Sequence, residues 1–228
     1  MSNSPYKQLD RLIDEYEEYT KIIRGDKLIM MNYPKLFVMS VASLFEKQIK
    51  HKCKNFVDFP LLPISSTYPT LQTLINEDNS MPITDKMFTK LRAKTLNAEK
   101  FYSLFGGLSF KQSVELNFSI MHSQRITIFE DKINALLPLI GQDDKYDRDY
   151  AEFSDIKERL TCCTFSTAEK AYLSLKSKRN RLAHDFINGL SDSFNDVRYF
   201  YLDAILYVLA LETAIESLTD TALLTPVT

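Results

Sequence analysis

The segment Lys176-Ser177-Lys178-Arg179-Asn180-Arg181-Leu182-Ala183-His184 gathers fixed positive charge, an amide and a titratable imidazole in one short run. Read as a helix at about 100° per residue, it carries an apolar stripe of Ala168, Tyr172, Leu175, Leu182, Ala183 and Phe186. Arg179 falls in the middle of that stripe. A guanidinium on a core-facing surface is costly unless it is paired or meets a second surface carrying anions. Asn180 and His184, four apart, share the adjoining face with Arg181 beside them. That combination suits a phosphodiester.

Composition bounds the rest. A chain of 228 residues, 45% hydrophobic and 25% charged, suits one soluble domain, or one domain with an elaborate insertion. Only five glycines and eight prolines occur, which favours helices. A net charge of −2 argues against a broad basic coat for nucleic acid and leaves room for a local basic cleft. The three cysteines, Cys53, Cys162 and Cys163, lack ligand spacing, and their odd number fits a reducing cytoplasm. No metal and no cofactor is expected, because no carboxylate or histidine cluster suits one. Residues 1–19 are acidic and polar rather than leader-like, and the longest apolar run, 204–211, is too short for a bilayer. The expectation is a soluble, cytoplasmic protein with no membrane partner.

The elements that must position the motif read as helices throughout. Apolar spacing predicts a helix over 5–24, stopped by Gly25, and a second from Asn32 and Pro34 to about Lys54. Residues 57–82, with Pro60, Pro63, Pro69 and Pro82, read as a loop-rich insertion with one short helix near 71–75. Shorter helices follow over 84–96 and 97–105, the latter capped by Asn97 and stopped by Gly106-Gly107. A long helix spans 113–137, ended by Pro138 and Gly141; 142–150 reads as a charged loop and 150–160 as a short helix. The motif helix covers 167–187 and stops at Gly189, and Ser193 caps a last, strongly patterned helix running from Val197 past Leu218. The fold predicted is an all-α bundle of four to five main helices in one domain, 1–228. A helical or loop insertion at about 57–112 separates the second helix from the long central one.

Arg179-Asn180-x3-His184, followed by a long apolar helix, resembles the Arg-x4-6-His signature of the HEPN superfamily, many of whose members are ribonucleases of toxin–antitoxin and phage-defence systems. The run Val41-Ala42-Ser43-Leu44-Phe45-Glu46 is similar to the first conserved helix of stand-alone HEPN families of the RiboL-PSP type. The likeness covers about 30–56 and 165–218.

This resemblance implies a metal-independent endoribonuclease that leaves 2′,3′-cyclic phosphate ends, with RNA as substrate. Such cleavage needs a base for the 2′-OH, an acid for the 5′-oxygen and positive charge on the phosphorane. His184 would be base or acid, Arg179 would hold the phosphate bidentately, and Asn180 would orient the imidazole or donate to phosphate. Glu46 would pair with and position Arg179. Arg181, Lys176 and Lys178 would contact RNA.

The family also implies a homodimer with a composite active site, which would place the stripe bearing Arg179 at a subunit interface. A neutralising antitoxin or a defence partner is implied as well. In HEPN toxins paired with nucleotidyltransferase antitoxins, a modified tyrosine stands two residues after the histidine. Phe186 stands there in this chain, so silencing by that modification is not expected. The alternative is a catalytically silent HEPN module that dimerises or binds RNA within a defence assembly.

Overall fold

A computed structural model describes residue 15 and residues 27–57, 89–91 and 97–224 of the chain. Among them every regular element is a helix, as the sequence pattern requires. We number them α1 (Lys27–Val57), α2 (Ala98–Ser103), α3 (Leu108–Leu136), α4 (Asp144–Cys162), α5 (Phe165–His184) and α6 (Phe194–Leu224), with a 3-10 turn at Leu137–Leu139. The helices expected over 5–24 and near 71–75, and most of that over 84–96, lie outside the described residues. No described helix is long and apolar enough to cross a membrane.

The hydrophobic centre is α6, which packs against α1, α3 and α5. Its residues from Tyr201 to Val208 are buried without interruption, so the helix is enclosed rather than amphipathic. Tyr201 sits between Phe37 and Phe45 of α1, at ring centroid distances of 5.8 and 6.1 Å. The start of α6 is fixed by a reciprocal capping box. Ser193 Oγ accepts from the Asp196 N–H at 3.2 Å, while Asp196 Oδ2 accepts from the Ser193 N–H at 2.9 Å.

Helix ends carrying a cap or a breaker fall close to where the sequence puts them. Asn97 caps α2 by accepting from the Lys100 N–H at 3.1 Å, and Gly106 and Gly107 end it with φ of 100° and 69°. Residues 97–112, assigned to the insertion on sequence, belong to the core, because Phe101, Tyr102, Leu104, Phe105 and Phe110 are buried in it. Three expectations are corrected. Helix α1 starts several residues before Asn32, so buried Pro34 lies within it rather than in its first turn; packing outweighs the one lost hydrogen bond. Helix α3 begins at Leu108, not Ser113, because Gly107 turns the chain directly into it. The charged stretch 142–150 is largely helical: Asp143 caps α4 by accepting from the Lys145 N–H at 2.8 Å.

Helix α4 packs on α3 and is tied to α6 by polar contacts. Arg159 meets Asp203 at 2.7 Å, Arg198 meets Glu152, and the Tyr199 hydroxyl donates to Asp155 at 2.9 Å.

Candidate functional site

Helix α5 carries the motif, and its phase is set by Ala168, Ala171, Tyr172, Leu175 and Leu182, all buried. Thr164 starts it, accepting from the Thr167 N–H at 3.2 Å. Arg179 shares the buried phase, and its guanidinium donates to Glu46 Oε2 of α1. The two side chains are only 13% and 15% exposed. The charge on the apolar stripe is thus paired within one chain, and the pair accounts for Arg179 there without a subunit interface.

The pair is not electrically closed. Glu46 also meets Lys50 at 3.0 Å, so one carboxylate stands against two cations. The Arg179 Nε is buried and finds no acceptor. Tyr172, buried beside the pair, has its hydroxyl pushed well above the usual range, first by burial and then by the Glu46 charge.

His184 is the last residue of α5 and is exposed. About 40° of helical rotation separates it from Asn180 and about 60° from Arg181, whereas about 140° separates it from Arg179. Asn180, Arg181 and His184 therefore form one accessible cluster, with the Arg179–Glu46–Lys50 group at its buried edge. Ala183 and Phe186, expected on the apolar stripe, are exposed, because the helix ends at His184 and the chain turns away.

Lys176 and Lys178, expected to face RNA, are instead buried. The Lys178 ammonium bonds both oxygens of Asp192, at 2.6 and 2.7 Å, and lies over the Phe200 ring. Its charge is matched inside the fold, between α5 and the start of α6. Lys176 is likewise engaged and 5% exposed.

The turn after His184 is held by three contacts. Asp185 accepts from the Asn188 N–H at 3.0 Å, which is the leading reason its carboxyl titrates below the usual range. The Lys35 ammonium of α1 donates to the Ile187 carbonyl at 2.8 Å. Gly189 packs onto the carbonyl end of α5 so closely that a Cβ there would stand 2.2 Å from the Asp185 oxygen.

A separate cleft of about 480 Å³ opens between α4, α5 and α6, and the sequence gives no motif for it because its residues come from three helices. Its lining includes the Arg159–Asp203 pair, Tyr199, Cys162 and Cys163. Burial raises the Asp203 carboxyl and pushes the Cys163 thiol up to about 12. Neither group is a ready nucleophile near neutrality.

His51 and His122 take structural partners. His122 reaches the Leu160 carbonyl at 2.6 Å and stacks on Phe118, while His51 contacts Asn55 at 3.4 Å.

No protein-family model, curated protein or solved structure matches this chain, so the site is read from its own geometry.

Proposed function

We propose that the chain is a HEPN-like, metal-independent endoribonuclease acting at the C-terminal end of α5. The observation that carries this reading is the exposed, unpartnered His184 beside Asn180 and Arg181, backed by a cationic group that a single carboxylate does not neutralise. In the reaction, the RNA 2′-oxygen loses its proton to a base and bonds to phosphorus. The bond from phosphorus to the 5′-oxygen breaks, and that oxygen takes a proton. The products are a 2′,3′-cyclic phosphate and a 5′-hydroxyl.

His184 performs one of the two proton transfers. Arg181 contacts the phosphate, Arg179 supplies fixed positive potential, and Asn180 orients the imidazole. Glu46 positions Arg179. A second His184, from another copy, completes the proton inventory in a composite site. Growth arrest or antiviral defence in the cytoplasm is the setting this chemistry suits, with RNA as substrate and an antitoxin or defence partner as restraint.

A second reading is favoured by one observation, the burial of Arg179 against Glu46. In that reading the module is catalytically silent and binds RNA or a partner.

Purified parent and His184→Ala proteins, incubated with total RNA in EDTA, separate the two. Cleavage by the parent alone, with cyclic phosphate ends, supports the nuclease. Equal cleavage by both removes His184 from the mechanism. RNA binding without cleavage by either supports the silent module.

A further inference from the structure

Helix α3 presents to solvent a face with no charge on it. From Leu108 to Ile128, every exposed residue is either apolar or neutral and polar. The neighbouring α4 contrasts sharply, exposing Asp144, Lys145, Asp147, Arg148, Asp155 and Glu158. Leu108, Leu116, Ile120 and Ile128 of α3 are 78%, 65%, 45% and 48% exposed. Soluble surfaces rarely leave so long an apolar and neutral strip uncovered. At about 1.5 Å per residue it runs for about 30 Å.

The strip is also symmetric about Phe118, which is buried on the opposite side of the helix. Leu108 lies as far before Phe118 as Ile128 lies after it. The same holds for Leu116 and Ile120, for Gln112 and Gln124, and for Ser109 and Thr127. Apolar residues mirror apolar ones, an amide mirrors an amide, and a hydroxyl mirrors a hydroxyl. A two-fold axis perpendicular to α3 at the level of Phe118 lays each residue beside its chemical equivalent on an antiparallel partner. That is the self-complementarity an isologous interface demands.

The polar side chains of the strip do not oppose burial. The Ser119 hydroxyl donates to the Glu115 carbonyl and that of Thr127 to the Ser123 carbonyl, each at 3.1 Å. Asn117 at its edge donates to the Ser113 carbonyl at 2.8 Å. Their donors are satisfied within the helix, so a covering surface orphans none of them. The flanking charges are also engaged in the chain: Lys111 pairs with Glu115 at 3.8 Å, and Arg125 lies over the Phe129 ring. A charged partner would find nothing here to pair with.

We propose that the 108–128 face of α3 is a self-association surface that takes α3 of a second copy in antiparallel register centred on Phe118. It uses none of the candidate-site residues and does not rest on the nuclease reading. It is a contact additional to any that brings two His184 side chains together.

The test is mass by light scattering on the full chain at concentrations up to about 100 µM. The parent is expected at twice 26.4 kDa. Leu116→Glu/Ile120→Glu and Leu116→Lys/Ile120→Lys chains each run as monomers, because like charges then meet across the axis. An equal mixture of the two regains the doubled mass. The His184→Ala chain stays dimeric whether or not it cuts RNA. Circular dichroism confirms that each variant keeps its helices, and Leu116→Gln/Ile120→Gln, with weakened dimerisation, replaces any that does not. A monomeric parent, charge variants that remain dimeric, or a mixture that stays monomeric overturns the proposal.

Discussion

Glu46 of α1 receives the Arg179 guanidinium of α5 across 133 residues of sequence, and this contact lets an arginine occupy a core-facing position. Removing the carboxylate leaves a half-buried charge whose Nε already lacks an acceptor. Glu46→Ala is therefore expected to destabilise the fold by about 2 kcal/mol, below the range for fully buried pairs because both side chains keep some solvent. In a domain of this size that is about 4–8 °C of melting temperature. The Glu46→Ala/Arg179→Met double variant should recover part of the loss, because no orphaned charge remains. Melting curves for the four proteins of the cycle check this. Strict additivity of the single effects would show that the pair is not coupled.

How much of this was legible in the sequence differs from residue to residue. The contact of Glu46 with Arg179 followed from the cost of a guanidinium on an apolar stripe and a carboxylate on a matching helix. The burial of Lys178 did not, because its partner Asp192 lies beyond the helix end, and only the return of the chain into α6 brings the two together. Caps carried their own signal at Asn97 and Ser193. The start of α3 carried none, since Gly107 provides no side-chain cap and Leu108 and Leu116 face solvent, removing the helical periodicity there. The first turns of α4 were lost for a similar reason: its buried residues, Ile156 and Leu160, come late in the helix. Asp143 with Asp147 was the available clue.

Gly189 is required by a close approach. Its φ does not fall in the left-handed range, yet a Cβ would overlap the Asp185 carbonyl and press on that of Arg181 at 3.2 Å. Gly189→Ala must move the backbone, and it is expected to cost about 2 kcal/mol, well outside the usual surface range. The strain falls on the turn that follows His184, so the variant should also lose RNA cleavage if that turn helps fix the imidazole. A melting temperature within about 1 °C of the parent would contradict the steric argument.

The capping box at the head of α6 gives a pH dependence of known sign. The Asp196 carboxyl is held below its usual range, first by the Ser193 hydroxyl and then by the Ser193 N–H. A depressed carboxylate stabilises the fold above the ordinary value of about 4 and loses that contribution as pH falls through the folded value. Asp196→Asn should therefore narrow its stability gap to the parent as pH drops from about 6 to about 3. Ser193→Ala removes the hydroxyl and should cost about 1 kcal/mol at neutral pH. Melting temperatures across that range test both. A gap that widens toward acid would reverse the sign and refute the assignment.

The three thiols should divide cleanly by reactivity. Cys162 is exposed at the mouth of the cleft between α4, α5 and α6, whereas Cys53 and Cys163 are buried. Burial pushes both of the latter up to about 12, aided at Cys163 by the neighbouring Asp203 charge. At pH 8 the thiolate fraction of such a group is on the order of one in ten thousand, so attack on an aromatic disulfide reagent is slow even where the reagent reaches it. One equivalent is expected to react rapidly in the native protein and three after unfolding in guanidinium. Cys162→Ser should abolish the rapid phase and leave the slow one. A rapid phase of two equivalents, or one that survives the substitution, would mean that Cys163 is open to the cleft and that the packing of α4 against α6 is looser than its ion pairs imply.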